Sequence, residues 1–230
     1  MKRIVVLISG RGSNLRALVE ARLPLEVAAV ISNRPDAAGL AFAAQHGIAT
    51  QVVDHTAFAS REAFDDALGD AINAHRPDLV VMAGFMRLLT PGFIRRFAGR
   101  MVNIHPALLP AFTGLDTHAR ALARGCRIHG CTVHLVTEGM DEGPIIAQAA
   151  VPVLPDDDAD TLAARVLAEE HRLYPAVLRA WEEGRVHLEG DRVIWREGTA
   201  WPAAARYPTT DRIDADASHP VAGNAVPLRP

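Results

Sequence analysis

Arg3-Ile4-Val5-Val6-Leu7-Ile8-Ser9-Gly10-Arg11-Gly12-Ser13-Asn14-Leu15-Arg16-Ala17-Leu18-Val19 forms one βα unit, and its reading decides the class of the fold. Residues 3–8 are a continuous apolar, largely β-branched run, the pattern of a strand buried on both faces. From Leu15 onward the apolar residues follow helical spacing. Between strand and helix, Gly10, Gly12, Ser13 and Asn14 make a turn that offers backbone N–H groups at the positive end of a helix dipole. Such a turn suits a phosphate. It is not a Walker A loop, because no Gly-Lys-Ser/Thr ends it, and Leu15 stands where a dinucleotide fingerprint has its third glycine. No ribose-binding acid follows the second strand either: residues 25–32 lead into Asn33-Arg34-Pro35-Asp36. Ser13 or Asn14 as a plain helix cap is the competing account, and the two glycines favour a phosphate monoester.

Working outward, residues 37–46 read as a helix closed by Gly47, and residues 48–53 as a third strand. Ser60 caps a helix that runs to about His75 and carries Arg61 in its exposed first turn. Residues 78–83 are a fourth strand, ending in the apolar loop Gly84-Phe85-Met86-Arg87-Leu88-Leu89, which suits either a flat ring or core packing. A short helix over 91–98 leads to a central strand ending near Met101-Val102. This alternation predicts an α/β, Rossmann-like fold: a mostly parallel twisted sheet flanked by helices. Residues 127–136 alternate as a strand, with His129, Cys131 and Val133 on one face and His134 on the other. No full crossover helix need separate them from the strand at 145–151, so an antiparallel edge is expected in the C-terminal half. A helix over 159–183 contains Pro175, which predicts a kink. Residues 185–188 and 192–195 bracket Glu189-Gly190-Asp191 as a hairpin. The expected organisation is a single domain over 1–200, with a phosphate-binding half (1–100) and a catalytic half (101–200). Residues 201–230, rich in Ala, Pro, Asp and Thr without periodicity, read as an irregular tail.

Composition narrows the function classes. The 230 residues are 49% hydrophobic with mean hydropathy +0.08, which fits a chain with a sizeable core. Net charge is −3 and the pI about 6.4, so neither a nucleic-acid nor an anionic-membrane surface is expected. No apolar run approaches the roughly 20 residues of a membrane span. The start shows no cleavage pattern, and Cys126 and Cys131 fit neither a disulfide framework nor a zinc ribbon, so the expected location is cytoplasmic. Lys2 is the only lysine, a bias that lowers the weight of any single arginine as a chosen ligand.

The chemistry points to Asn103-Ile104-His105-Pro106-Ala107-Leu108-Leu109-Pro110. In an open parallel sheet, reactions collect beyond the carboxyl ends of strands. Asn103 and His105, two residues apart on an extended segment, point to one side. Pro106 and Pro110 stiffen the segment, so an oxyanion donor and a proton carrier stand at fixed separation. The glycine loop, the Met86 loop, this pair and the turn Gly139-Met140-Asp141-Glu142-Gly143 are expected at one end of the sheet. A metal centre is a rival, given His105, His118, His129, His134 and Asp141, but no His-Glu-x-x-His and no cysteine pair at ligand spacing supports it. A serine hydrolase lacks its Gly-x-Ser-x-Gly elbow.

Taken together these motifs resemble the folate-dependent phosphoribosylglycinamide formyltransferase family of purine synthesis. The matching pieces are Ile8-Ser9-Gly10-Arg11-Gly12-Ser13-Asn14-Leu15, Ala83-Gly84-Phe85-Met86-Arg87-Leu88-Leu89, the Asn103–Pro110 run, Gly130-Cys131-Thr132-Val133-His134 and Met140-Asp141-Glu142-Gly143-Pro144-Ile145-Ile146, in order over roughly residues 3–183. The resemblance implies formyl transfer from 10-formyltetrahydrofolate, as cosubstrate, to the amine of phosphoribosylglycinamide, without a metal, in a monomer or homodimer acting on small molecules. It implies that Gly12, Ser13, Asn14, Leu15, Arg16 and Glu170 hold the phosphoribosyl substrate. Arg61, Met86, Arg87, Leu88, Leu89, Asn103, Met140 and Asp141 would hold the folate, and Asn103, His105 and Asp141 would carry the chemistry. Thr113 and Asp116 depart from the proline and histidine of many members, which puts loop detail in question. Related readings stay open on the Asn-x-His run alone. A formyltetrahydrofolate hydrolase would carry a further regulatory domain, and a methionyl-tRNA formyltransferase a basic C-terminal one. From another class, a non-catalytic nucleotide-binding module would explain the glycine loop but not Asn103, His105 and Asp141 together.

Overall fold

The apolar run at the start of the chain becomes β1 (Lys2–Ile8), whose Val5, Val6, Leu7 and Ile8 have no exposed surface. The computed structural model of the chain describes residues 1–189 and 192–196. After β1 come α1 (Ser13–Glu20), β2 (Leu25–Ser32), α2 (Ala38–Gln45), β3 (Thr50–Val52), α3 (Arg61–Ala74), β4 (Leu79–Met82), α4 (Pro91–Arg96) and β5 (Met101–His105). The second half adds α5 (Thr117–Ala123), β6 (Ile128–Leu135), β7 (Ile145–Pro152), α6 (Ala159–Glu182) and a hairpin of β8 (Val186–Glu189) and β9 (Arg192–Trp195). The expectation of an irregular tail over 201–230 lies outside the described residues.

The main sheet has the order β3-β2-β1-β4-β5-β6-β7. β1 pairs in parallel with β2 and β4, β2 with β3, and β4 with β5. β5–β6 and β6–β7 are antiparallel, so the sheet is mixed in the half where a missing crossover helix predicted it. From β1 the order runs outward one way to β3 and the other way through β4, which opens a crevice above the carboxyl ends of β1 and β4. One core layer packs Ile4, Val6 and Ile8 of β1 with Leu15 of α1, Phe42 of α2 and Tyr174 of α6. The other packs Val5 and Leu7 with Phe64 and Leu68 of α3 and Phe93 of α4. Burial on both faces explains why β1 reads as an unbroken apolar run.

β3 is shorter than the expected span of 48–53, for a local reason. The α2 helix ends in a left-handed Gly47 (φ +69°). The Ile48 N–H then closes back on Ala43 O and the Gly47 N–H on Ala44 O. That double closure uses residues 47 and 48 as the helix stop rather than as strand. The acidic start of α6 also has more partners than the dipole alone. Asp158 accepts from Thr161 N in a capping box, and Asp157 takes a bidentate pair from Arg165 at 2.6 and 2.8 Å. α6 continues through Pro175 as one helix of 24 residues. Just before that proline, the fully buried Tyr174 points its hydroxyl between two strands, 2.9 Å from Met82 O and 3.2 Å from Val102 O.

That hydroxyl ties α6 to the β4–β5 seam, next to the strand that carries the polar site. Tyr174→Phe keeps the ring and removes the bond, and should lower the unfolding free energy by about 1–1.5 kcal/mol. Urea unfolding with an unchanged m-value would read that loss, and equal stability would show that the bridge contributes nothing.

Candidate active site

The polar groups of the site stand at the end of β5 and are brought together by the change of strand direction. Asn103 and His105 lie across from His134 and Thr132 in the β5–β6 register. His134 donates through Nδ1 to Leu135 O at 2.9 Å, which leaves Nε2 of the neutral ring to accept from Asn103 Nδ2 at 3.3 Å. Burial lowers the pKa of His134, and its bond to the Leu135 carbonyl and the Asp141 charge oppose that shift. The neutral ring orients the Asn103 amide and leaves its second N–H unused by this contact.

Asp141 reaches the same group by a detour. Because β6 is antiparallel, it passes His105 at Thr132 and ends with Leu135 opposite Val102, three residues away along β5. The glycine-bracketed turn therefore folds back, and Asp141 adopts a left-handed backbone (φ +58°) at its tip. There Asp141 Oδ2 lies 3.3 Å from His105 Nδ1 and accepts from Gly114 N at 2.9 Å, and Oδ1 lies 3.7 Å from His134 Nε2. At Gly143 a Cβ would strike the Leu135 carbonyl, so the tight return to β7 requires glycine. The other His105 nitrogen, Nε2, is 2.9 Å from Phe112 O. Both ring nitrogens thus face acceptor oxygens, and the doubly protonated ring satisfies both. His105 is 6% exposed.

The segment after His105 is anchored by buried polar groups. Thr132 Oγ1 accepts from Leu109 N at 3.0 Å and donates to Ala107 O at 2.7 Å, and Gln148 Nε2 donates to Leu109 O at 2.8 Å. Thr117 Oγ1 donates to Pro106 O at 2.7 Å. Beneath this segment lie His129 and His118, with ring centroids 5.2 Å apart and nearly perpendicular, and Phe112 packs edge-on to His129 at 5.9 Å. Burial, then the neighbouring His118, pushes the His129 pKa down to about 4. Among the described residues, no three histidine, cysteine or acidic side chains converge as metal ligands.

The glycine loop forms the second half of the crevice. Gly12, not Ser13 or Asn14, occupies the cap of α1, with φ +73° and no side-chain cap bond. A Cβ there would come within 2.8 Å of Gly39 Cα, so the loop lies hard against α2. Asn14 instead donates from Nδ2 to Glu170 Oε2 at 2.7 Å, and its own Oδ1 is buried without a partner. Burial raises the pKa of Glu170 and the Asn14 bond opposes it. Leu15 is fully buried in the core, so only its backbone faces the loop. Arg16 lies over Phe42 at 4.3 Å and 3.8 Å from Glu20.

Between these halves runs an apolar rim. Met86 and Leu88 after β4, Leu115 and Met140 are all more than half exposed, at 69%, 57%, 68% and 53%. Large apolar side chains left in water around a polar centre mark a binding groove. Leu89 belongs instead to the second core layer. Arg87 stacks on Phe64 at 5.0 Å, and Arg61, one helical turn before Phe64, is exposed at the start of α3. Neither arginine is paired with Asn103, His105 or Asp141. Of the residues expected at the site, His105 and Asp141 are in contact, Asn103 is held next to them by His134, and Asn14 meets Glu170. Sequence reading did not assign His134, Thr132 or Gln148 a part in it, although parity within β6 puts Thr132 and His134 on the face opposite His129.

The sequence pattern of the formyl transferase family matches residues 2–178. The chain is 47% identical over 203 residues to the phosphoribosylglycinamide formyltransferase of Escherichia coli, covering 86% of this chain and 95% of that one. It is 50% identical over 183 residues to the trifunctional purine biosynthetic protein adenosine-3 of Drosophila melanogaster, covering 77% of this chain and 14% of that protein. The crystal structure of glycinamide ribonucleotide transformylase 1 from Symbiobacterium toebii superposes with a TM-score of 0.82 at 51% identity, covering 85% of this chain and 94% of that one.

The depressed His129 pKa makes a stability prediction. In the unfolded chain this ring protonates near 6.5, in the folded protein near 4, so between those values the unfolded state binds more protons. The His129 contribution should be complete above about pH 6.5 and fade as pH falls towards 4. Glu170 acts with opposite sign, so the comparison is with His129→Gln. Urea unfolding from pH 4 to 8 should give a shallower pH slope in the variant, and identical slopes would remove His129 from the account.

Proposed function

The chain belongs to the formyl transferase family, and we propose that its site transfers a formyl group from 10-formyltetrahydrofolate to the amine of N1-(5-phosphoribosyl)glycinamide in de novo purine synthesis. The observation that carries this reading is the convergence of Asp141 on His105, with Asn103 held beside them by the neutral His134. It joins a fixed negative charge, a proton carrier and an oriented amide donor. The folate supplies a formyl group already activated on N10. The pteridine ring suits the rim of Met86, Leu88, Leu115 and Met140, with Arg61 and Arg87 towards its anionic end. The phosphate suits the open N–H groups at Gly12, Ser13 and Asn14, and a ribose hydroxyl would fill the unpartnered Asn14 Oδ1 beside Glu170.

The amine nitrogen attacks the formyl carbon and makes a tetrahedral oxyanion. The second Asn103 N–H donates to that oxygen, and a protonated His105 stabilises it through its charge. The attacking nitrogen loses a proton to Asp141, directly or through a trapped water. The N10–carbon bond then breaks as a proton is returned to N10 through His105. Remote binding of the phosphate holds the amine in place during these steps. No step needs a metal. The domain is taken as residues 1–200 and its location as the cytoplasm; among the described residues no helix is long and apolar enough to cross a membrane.

A hydrolase using the same Asn-x-His strand would have no need of the Asn14–Glu170 pair. Single-turnover reaction with 10-formyltetrahydrofolate separates the two: formyl transfer that requires phosphoribosylglycinamide supports the transferase, and equal folate loss without it supports hydrolysis.

Asp141→Asn keeps the turn hydrogen bond and removes the charge. It should fold normally and lose about 10²-fold or more in kcat. His105→Ala should cost as much alone but far less in the Asp141→Asn background, because the two act as a unit. Additive losses in that double-mutant cycle, with melts as the folding control, would reduce Asp141 to a turn residue. Gly12→Val should raise KM for the phosphorylated substrate well above any change in KM for the folate; equal effects on both would detach the glycine loop from phosphate binding.

A further inference from the structure

Residues 112–116 form a loop that supplies both backbone contacts to the catalytic pair. Phe112 O receives His105 Nε2, and Gly114 N donates to Asp141 Oδ2. The loop alternates into left-handed backbone at Phe112 (φ +57°), Gly114 (φ +78°) and Asp116 (φ +56°). For Phe112 and Asp116 that conformation is strained and persists only where surrounding contacts impose it. The imposing contact is Arg120 in α5. Its Nη1 donates to Thr113 O at 2.6 Å and to Leu115 O at 3.1 Å, and its guanidinium lies 5.6 Å from the Phe112 ring. The four polar groups interleave along the chain: carbonyl 112 to His105, carbonyl 113 to Arg120, N–H 114 to Asp141, carbonyl 115 to Arg120.

We propose that Arg120 is a positioning residue for formyl transfer, which by gripping the carbonyls of Thr113 and Leu115 sets the Phe112 carbonyl on His105 and the Gly114 N–H on Asp141. Arg120 touches neither reacting residue. Its effect runs through the loop, and the inference rests on the role proposed above for His105 and Asp141. Both grips are needed because a single one leaves the loop free to rotate about the other. A charged donor to a carbonyl is stronger than a neutral one, which suits a strained segment with little apolar burial.

The test uses the full chain with Arg120→Met, which keeps the stem over Phe112 and removes both donors, and Arg120→Lys, which keeps one charged donor. Arg120→Met should lower kcat about 10-fold, in line with the cost of displacing a catalytic group by part of an ångström. KM for phosphoribosylglycinamide should stay within about twofold, because that substrate is anchored across the crevice. Amide hydrogen exchange at residues 113–116 should quicken, and Arg120→Lys should recover part of kcat. In the Asp141→Asn background Arg120→Met should cost less than about twofold. Full turnover in Arg120→Met, an undiminished loss in the Asp141→Asn background, or no recovery with lysine would each overturn the proposal. An unmodified chain that transfers no formyl group would instead sink the functional reading, so the two failures are distinct. Should Arg120→Met fail to fold, Arg120→Lys against Asp141→Asn gives the same decision.

Discussion

The carboxylate of Asp141 meets three groups at once: the His105 ring, the Gly114 N–H and, farther off, His134. A carboxylate held this far from water is costly unless its lone pairs are used. Much of the C-terminal half serves that requirement. The antiparallel β5–β6 pair sets His134 beside Asn103, the folded-back turn carries Asp141 to His105, and the 112–116 loop closes over the pair. Take the carboxylate away and each of these segments keeps its hydrogen-bonding groups but loses the centre towards which they point.

The surrounding histidines show how one residue type is put to different uses by environment. His134 and His129 are buried and held neutral, their pKa values lowered by desolvation. A neutral His134 can accept from Asn103, and the neutral His129 adds no positive charge close to His105. His105 holds acceptor oxygens close to both ring nitrogens, Asp141 Oδ2 at 3.3 Å and Phe112 O at 2.9 Å. The rings of His129 and His134, held neutral by burial, contribute shape and low dielectric around His105.

How much of this the sequence discloses depends on the range of the interaction. Two-sided burial is a local property of residues 3–8, so β1 and the parallel sheet are readable from one run of apolar residues. Asn103 and His105 are legible because both sit on one strand with a stiffening proline after them. Glu170 came only through family resemblance, since its partner Asn14 is 156 residues away and no local pattern links them. The shortness of β3 was hidden because Gly47 could close a helix without showing how many residues the closure uses. From the sequence His134 is legible on its strand, but only as a rival metal ligand. What changes that reading is cross-strand register, which the sequence does not carry. Arg120 was invisible among many arginines, because its ligands are backbone carbonyls and backbone has no sequence signature.

The two halves of the crevice use opposite physical means. At the glycine loop, the proposed binding would depend on what is absent: no Cβ at Gly12, no side chain capping α1, no partner on Asn14 Oδ1. Open donors and acceptors there await a ligand that brings its own charge. At β5 the reverse holds, and nearly every polar atom already has a protein partner. That asymmetry fits the order of events in a transfer reaction. On the proposed reading, the phosphate end would be bound by backbone donors that water satisfies until the substrate displaces it. The reacting end must not reorganise when charge develops, so its donors are fixed beforehand by Asp141, His134 and the loop. A site built the other way round, with a rigid phosphate cage and a loose catalytic strand, would bind the substrate and leave the amine poorly placed for attack.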